Sequence, residues 1–104
     1  MPDKKIGFIV MYHYPDDKKK FDERYQKHLK VFEENAGNFV ESAHVVKVDD
    51  KVFYQMAVVK LRPETDFNAV MNSPEMKVVV DDVLDFVPED KFQVVPVTQT
   101  VYVQ

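Results

Sequence analysis

The stretch "VMYHYPDDKKKFDERYQKH", residues 10–28, decides the fold, because a strand gives way to a helix within it. It opens with residues that favour a pleated strand, and Pro15 ends that strand. A charged tract follows, and apolar residues then recur at helical spacing. We predict a strand over about residues 5–14 and a helix from Asp22 to Ala36. Asp22 is the predicted N-cap, and Gly37, in a left-handed conformation, is the predicted stop.

The remaining chain continues as strand, strand, helix, strand. A hairpin is predicted over residues 39–48 and 52–61, joined by a short polar turn. A helical turn at residues 67–71 precedes a second helix, which Ser73 caps and Pro88 ends. The last strand is predicted over residues 92–103, at a sheet edge because Pro96 cannot donate to a ladder. The order βαββαβ predicts a ferredoxin-like α+β sandwich: two helices on one face of a four-stranded antiparallel sheet, in one domain over 1–104.

Composition argues against several classes of function. The 104 residues include no cysteine, two glycines and three histidines, and the net charge is −4. Thiolate sites and glycine-rich phosphate loops are therefore absent, so we predict no cofactor. The histidines are far apart in sequence, so no metal is predicted, and no basic face suggests nucleic acid. The apolar run near the N-terminus is too short for a signal or a span, which predicts a soluble, cytoplasmic protein without membrane partners.

Both faces of the first and third strands are apolar. In the first strand Phe8, Val10 and Tyr12 alternate with Ile9 and Met11. The third strand has Tyr54, Met56 and Val58 on one face, with Phe53, Ala57, Val59 and Leu61 on the other. Two helices cover only one face of a sheet, so we predict that a second copy covers the other in a homodimer. Strand parity leaves open which face meets the helices, and Ile9 and Val59 are both candidates for the dimer contact.

Two segments carry a family resemblance. They are "GFIVMYHYPDDKKKFDERYQKHLKVFEENAG", residues 7–37, and "FNAVMNSPEMKVVVDDVLDFV", residues 67–87. Their order and spacing resemble the EthD family of dimeric α/β-barrel proteins. The matching positions are Tyr12, Tyr14, Pro15, Phe21, Asp22, Tyr25 and His28. Lys30 stands where that family often has a proline, so the helix is expected to continue without a kink.

The resemblance implies a dimeric barrel with a small-molecule pocket. The EthD family is named for a protein needed to degrade an ether fuel additive alongside a cytochrome P450 system. Similar dimeric barrels include polyketide cyclases, cofactor-free monooxygenases, muconolactone isomerases and haem-degrading enzymes. The fold alone therefore does not choose the reaction.

His28 is the main candidate for chemistry. It lies on the apolar stripe of the first helix with Tyr25, Leu29 and Phe32, so it points toward the sheet. Burial would keep it neutral at pH 7, and it would act as an acid/base group or hold a polar group of a ligand. The alternative is a structural histidine, hydrogen-bonded to a backbone carbonyl or a tyrosine.

Several aromatic residues are candidates to surround a substrate. They are Tyr12, Tyr14, Tyr25, Tyr54 and Phe32, although each would equally serve as an ordinary packing residue. His13 and His44 are weaker candidates, because single histidines on strands usually serve packing or the surface. Among Asp81, Asp82 and Asp85, mostly a solvated helix face, one is a potential partner that fixes the tautomer of His28.

Three functions remain open from the sequence. The first is a cofactor-independent enzyme acting on a small hydrophobic, cyclic or aromatic compound. The second is a non-catalytic ligand-binding or accessory protein in the degradation of such a compound. The third is a structural dimer module with a filled core, which would have no cavity beside His28.

Overall fold

A computed structural model describes residues 4–103, and within them the chain forms the predicted ferredoxin-like sandwich. The strands are β1 (Gly7–His13), β2 (Val40–Lys47), β3 (Phe53–Leu61) and β4 (Phe92–Val97). The helices are α1 (Lys18–Ala36), α2 (Phe67–Met71) and α3 (Pro74–Leu84), and short 3₁₀ turns lie at Gly37–Phe39 and Glu89–Lys91. The strand order is β2-β3-β1-β4, and all neighbours are antiparallel.

Helix α1 begins four residues earlier than the sequence predicted. Its N-cap is Asp17, whose carboxylate accepts a hydrogen bond from the Lys20 backbone N–H at 3.0 Å. Lysine tolerates a helix interior well, so the lysine tract forms the first turn once Asp17 has capped it. Asp22 is therefore not the cap, and its carboxylate instead accepts hydrogen bonds from Tyr54 and Lys47.

The end of α1 also differs from the prediction. Gly37 has φ −56° and ψ −32°, which is right-handed, so the predicted left-handed stop is wrong. The backbone tightens into the 3₁₀ turn Gly37–Phe39 and passes directly into β2. A 3₁₀ turn satisfies the last carbonyls of a helix without a left-handed residue.

The sheet places one face under the helices and leaves the other uncovered. Phe8 and Tyr12 of β1 are buried beneath the helices, as is Val59 of β3. By strand alternation Ile9 and Met11 lie on the uncovered face. Val59 is only 5% exposed inside the helix–sheet core, so it is not a dimer-contact candidate, whereas Ile9 remains one.

A bulge near the end of the β1–β3 ladder changes the parity of β3. The register shifts between Tyr12, which pairs with Gln55, and His13, which pairs with Phe53. Phe53 therefore packs against the His13 ring at 5.1 Å, whereas Tyr54 turns toward Phe21 of α1. The predicted grouping of Phe53 with Ala57, Val59 and Leu61 fails for this reason, since an extra residue reverses the side on which the preceding residues point.

Strand β4 is an edge strand, as Pro96 predicted, but it is shorter than expected. Its last partner in the ladder is Gly7, at the start of β1, which pairs with Val97. Residues 98–103 form no regular element. A strand that outlasts its partner has no ladder to stabilise it.

The close approach of β1 to β3 generates a stability prediction at Gly7. A Cβ there would overlap the Val59 carbonyl oxygen, which is backbone and cannot turn away. We expect Gly7→Ala to lower the free energy of unfolding by about 1–3 kcal/mol, the usual cost of overpacking.

The matched control is Gly37→Ala. The nearest atom to a Cβ at Gly37 is 4.0 Å away, and its backbone is helical. This change should be neutral or add up to about 1 kcal/mol, because alanine loses less entropy in a helix. Urea unfolding of both variants measures the difference, and equal stabilities would contradict the close approach.

Candidate functional site

A cavity of about 330 Å³ lies between the helices and the sheet. Its lining is almost entirely aliphatic and aromatic, as is usual for small-molecule sites. The lining residues come from all three helices and all four strands: Phe8, Val10, Tyr12, Tyr25, His28, Leu29, Phe32, Ala43, His44, Val45, Ala57, Val59, Met71, Met76, Val79, Val80, Val83, Phe92 and Val94. A purely structural module would have a filled core beside His28, whereas this structure has a cavity there.

His28 is buried, 5% exposed, and lines this cavity from α1. Its ring centroid lies 5.6 Å from that of Tyr25 and 5.7 Å from that of Phe86. Its Nδ1 atom is 2.7 Å from Oδ2 of Asp82 on α3. One of the three aspartates considered from the sequence is thus the partner of His28, and the contact joins the two helices.

Arg24 completes this polar group, and sequence reasoning missed it. Its Nη2 atom donates to Oδ1 of Asp82 at 2.7 Å and to Asp85 at 3.2 Å. The guanidinium also lies 4.5 Å from the centroid of the Phe86 ring. Arg24 precedes His28 by four residues, so the two share a helix face, and this spacing was the available signal.

The charges of the three groups follow from their contacts. The hydrogen bond from Arg24 holds the pKa of Asp82 below its ordinary value, and the contact with His28 adds to this. Burial lowers the pKa of His28, and Arg24 acts in the same direction, while Asp82 partly opposes them. At pH 7 we therefore assign an ionised Asp82 and a neutral His28.

These charges fix the tautomer of His28. An ionised carboxylate only accepts hydrogen bonds, so Nδ1 of His28 must carry the proton that bridges to Asp82. The other ring nitrogen, Nε2, then has a lone pair. Within residues 4–103, Nε2 forms no hydrogen bond. It is also not fully buried, so a small molecule can reach it.

Tyr12 and Tyr25 add two hydroxyl groups to the lining. Their rings meet edge to face at 5.4 Å. Burial and the neighbouring Tyr25 raise the pKa of Tyr12 far above its ordinary value, and burial likewise raises the pKa of Tyr25. Both phenols are therefore protonated at neutral pH and serve as hydrogen-bonding groups.

The other aromatic candidates divide between the cavity and the surface. Phe32 lines the cavity, but Tyr14 and Tyr54 lie outside its lining. Tyr14 is beyond the end of β1 and 37% exposed, with its ring 5.5 Å from that of Tyr54. The bulge turns Tyr54 toward α1, where its hydroxyl donates to Asp22 at 2.9 Å. These two tyrosines are thus not brought together with His28.

A second, more polar groove of about 550 Å³ lies at the loop after β1. It is formed by the Tyr14–Asp17 loop, the first turns of α1, and the segment after α3: His13, Tyr14, Pro15, Asp16, Asp17, Lys20, Phe21, Arg24, Asp85, Phe86, Val87, Pro88 and Lys91. His28 does not line this groove, although Arg24 and Phe86 connect the two regions.

The two weaker histidine candidates lie apart from His28. His13 lies at the end of β1, and its Nε2 atom is buried without a partner among the described residues. His44 is exposed on the edge strand β2 and borders the cavity. Neither contacts the Arg24–Asp82–His28 group.

Two further kinds of feature are absent from residues 4–103. No three His, Cys, Asp or Glu side chains lie close enough together to hold a metal ion. No helix there combines the length and the apolar character needed to cross a bilayer.

The fold defines a class: ferredoxin-like sandwiches with a cavity between the helices and the sheet. An EthD family protein from Bacillus halodurans has the same fold, with a TM-score of 0.79 and 19% identity over 92% of this chain and 99% of that one. The resemblance to EthD proteins expected from the sequence is thus confirmed at the level of fold.

Two other solved structures extend this comparison. An Arabidopsis thaliana protein has a TM-score of 0.68 and 10% identity, covering 95% of this chain and 99% of that one. A dimeric ferredoxin-like protein of unknown function from Thermobifida fusca has a TM-score of 0.64 and 9% identity, covering 95% and 96%. No protein-family model and no curated protein sequence matches the chain.

The lowered pKa of His28 predicts a pH dependence of stability. In the unfolded chain His28 takes up a proton near pH 6.5, whereas in the fold it does so only at lower pH. Between these two pH values the unfolded chain binds the proton more tightly than the folded chain does. The free energy of unfolding should therefore fall as the pH drops from 6.5 toward the pKa of His28 in the fold. His28→Gln should remove this part of the slope.

The control for this measurement is His44→Gln, a change to an exposed histidine. Urea unfolding at several pH values between about 5 and 8 should show the wild-type slope in His44→Gln. A wild-type slope in His28→Gln would contradict the assignment of a neutral, buried imidazole.

Proposed function

We propose that this chain is an EthD-like domain over residues 1–104 that binds a small hydrophobic, cyclic or aromatic compound. The cavity between the helices and the sheet is the binding site, and His28 is the group that acts on the bound compound. The observation that carries this is the cavity itself: about 330 Å³ of apolar lining with a buried imidazole on its wall. Functional pockets of this kind begin at roughly 300 Å³.

The Arg24–Asp82–His28 group supports acid/base chemistry without a cofactor. A neutral imidazole at Nε2 can take a proton from a bound compound, and Asp82 at 2.7 Å would stabilise the imidazolium that forms. The same ring can return that proton to another atom of the compound, as an isomerisation, cyclisation or dehydration requires. Tyr12 and Tyr25 supply hydroxyl groups on the same wall.

The second candidate is a non-catalytic protein that binds or delivers such a compound. It is favoured by the raised pKa values of Tyr12 and Tyr25, which prevent these two phenols from giving a proton to a bound compound or taking one from it near neutral pH. In this case Nε2 of His28 is a passive acceptor. Proton NMR of the compound after incubation separates the two candidates, because only the enzyme changes the compound and NMR also detects an isomer of unchanged mass.

The proposal includes a homodimer formed through the uncovered face of the sheet. That face has apolar residues from three strands, among them Ile9, Met56 and Val95. Burial of apolar surface contributes roughly 25 cal/mol per Å², so a second copy would stabilise such a face substantially. A structural neighbour from Thermobifida fusca is dimeric. The cytoplasmic location and the lack of a nucleic-acid partner remain predictions of the sequence.

A cavity-filling variant tests the binding site. Naphthalene is a suitable probe, because it has no polar group and fits an apolar cavity. We expect saturable shifts of backbone amide signals at the lining residues in wild-type protein. Ala57→Met places a longer side chain into the lining and should weaken this binding by about tenfold or more.

The matched control is Ala69→Met, the same change at an exposed position of α2 outside the lining. It should bind naphthalene as the wild type does. Absence of saturable shifts in the wild type, or equal binding by Ala57→Met, would refute the proposed site.

A pair of valine variants tests the dimer. Val95 lies opposite Ile9 and is 41% exposed, whereas Val78 is 46% exposed on α3. Val95→Glu should weaken dimerisation at least about tenfold, because a charge would be buried against the second copy. Val78→Glu should leave it unchanged. Light scattering over a range of concentrations measures this, and a wild-type protein that stays monomeric at high micromolar concentration would overturn the proposal.

A further inference from the structure

We infer that the compound bound in the cavity carries a hydroxyl or similar hydrogen-bond donor on an apolar, ring-sized body, and that this group donates to Nε2 of His28. The inference rests on the proposed function and names the chemical class of its ligand. It separates alcohols and phenols, which can donate, from ethers and ketones of the same size, which cannot.

The first step of the argument is the ionised state of Asp82. Arg24 contacts both of its oxygens, at 2.7 Å to Oδ1 and 3.3 Å to Oδ2. A guanidinium remains protonated at any physiological pH, so this pair holds the carboxylate in its charged form. An ionised carboxylate has no proton to donate and can only accept.

The second step concerns the proton on His28. Oδ2 of Asp82 also lies 2.7 Å from Nδ1 of His28, so the proton in that contact belongs to the imidazole. A neutral imidazole has one ring proton, which places it on Nδ1 and leaves Nε2 as an acceptor. In the other tautomer the lone pair of Nδ1 would face the Asp82 carboxylate. Repulsion between that lone pair and the carboxylate charge disfavours this tautomer.

The third step is the lack of another partner for Nε2. No side chain or backbone group within residues 4–103 forms a hydrogen bond to it, although the ring is 5% exposed and lines the cavity. Nε2 is not fully buried, so water can satisfy it in the free protein. A ligand donor would take the place of that water, whereas a ligand acceptor would displace it and leave Nε2 without a donor.

The rest of the lining strengthens the discrimination. The second histidine of the lining, His44, pairs with Val58, which places its side chain on the uncovered face of the sheet. Aliphatic and aromatic groups make up almost all of the rest, so they offer a ligand hydroxyl no other acceptor of comparable strength. The phenols of Tyr12 and Tyr25 keep their protons at neutral pH, so they can donate as well as accept. A carboxylate ligand is disfavoured, because its charge would be buried in an apolar cavity whose lining has no lysine or arginine.

Three probes of one ring size test the inference. They are 2-naphthol, which donates; 2-methoxynaphthalene, which has the same oxygen without a proton; and naphthalene. We expect 2-naphthol to bind wild-type protein about three- to tenfold more tightly than 2-methoxynaphthalene, the effect of one net hydrogen bond. Calorimetry or amide-shift titration at neutral pH measures the three affinities.

Two variants assign that preference to Nε2 of His28. His28→Phe keeps a ring but removes the acceptor, so the preference for 2-naphthol should disappear while naphthalene still binds. Asp82→Asn keeps His28, but the amide can either accept a hydrogen bond from Nδ1 or donate one to it, so both tautomers are populated. The preference for 2-naphthol over 2-methoxynaphthalene should therefore shrink. Nitrogen-15 shifts of the imidazole provide a readout independent of any ligand, and they should show Nε2 unprotonated in the wild type and partly protonated in Asp82→Asn.

The outcomes separate the inference from the function on which it rests. Equal affinities for 2-naphthol and 2-methoxynaphthalene, with naphthalene bound, overturn the inference and leave the binding site standing. A preference that persists in His28→Phe, or a protonated Nε2 in the wild type, also overturns it. Failure of all three probes to bind refutes the proposed function and the inference together.

Discussion

Two helices can cover only one face of a four-stranded sheet, and most features of this protein follow from that constraint. Helices α1 and α3 pack on the face that contains Phe8, Tyr12 and Val59. A cavity of about 330 Å³ remains between these helices and the sheet. The opposite face keeps apolar residues in contact with solvent unless another molecule covers it.

The polar contact between the two helices gives that cavity its chemical character. Arg24, Asp82 and His28 form a chain of charge-assisted hydrogen bonds in an otherwise apolar region. Each member satisfies a group that would be costly to bury alone, so the chain both joins α1 to α3 and sets the state of the imidazole. The same hydrogen bonds therefore hold the two helices together and set the protonation state of the candidate site.

Local sequence signals predicted much of the fold but little of the site. The spacing of Tyr25, His28 and Phe32 correctly placed one helix face toward the sheet, because a helix repeats every 3.6 residues whatever lies around it. The sequence could not distinguish Asp82 from Asp81 and Asp85 as the partner of His28. Only the packing of α1 against α3 determines which of the three contacts the imidazole. Tyr54 was grouped with Met56 and Val58 on one face of the third strand, but a bulge, which depends on a neighbouring strand, turns it to the helix side.

The sequence by itself determined the order of the elements, the apolar character of both sheet faces and the inward direction of His28. These follow from propensities and periodicities that act over a few residues, as do the edge position of β4 at Pro96 and the helix start at Ser73. Only the tertiary structure decided which sheet face the helices cover, which carboxylate partners the imidazole and how large a cavity remains. Those features depend on distances between residues more than 50 positions apart in the chain, such as His28 and Asp82, and such distances are set by packing.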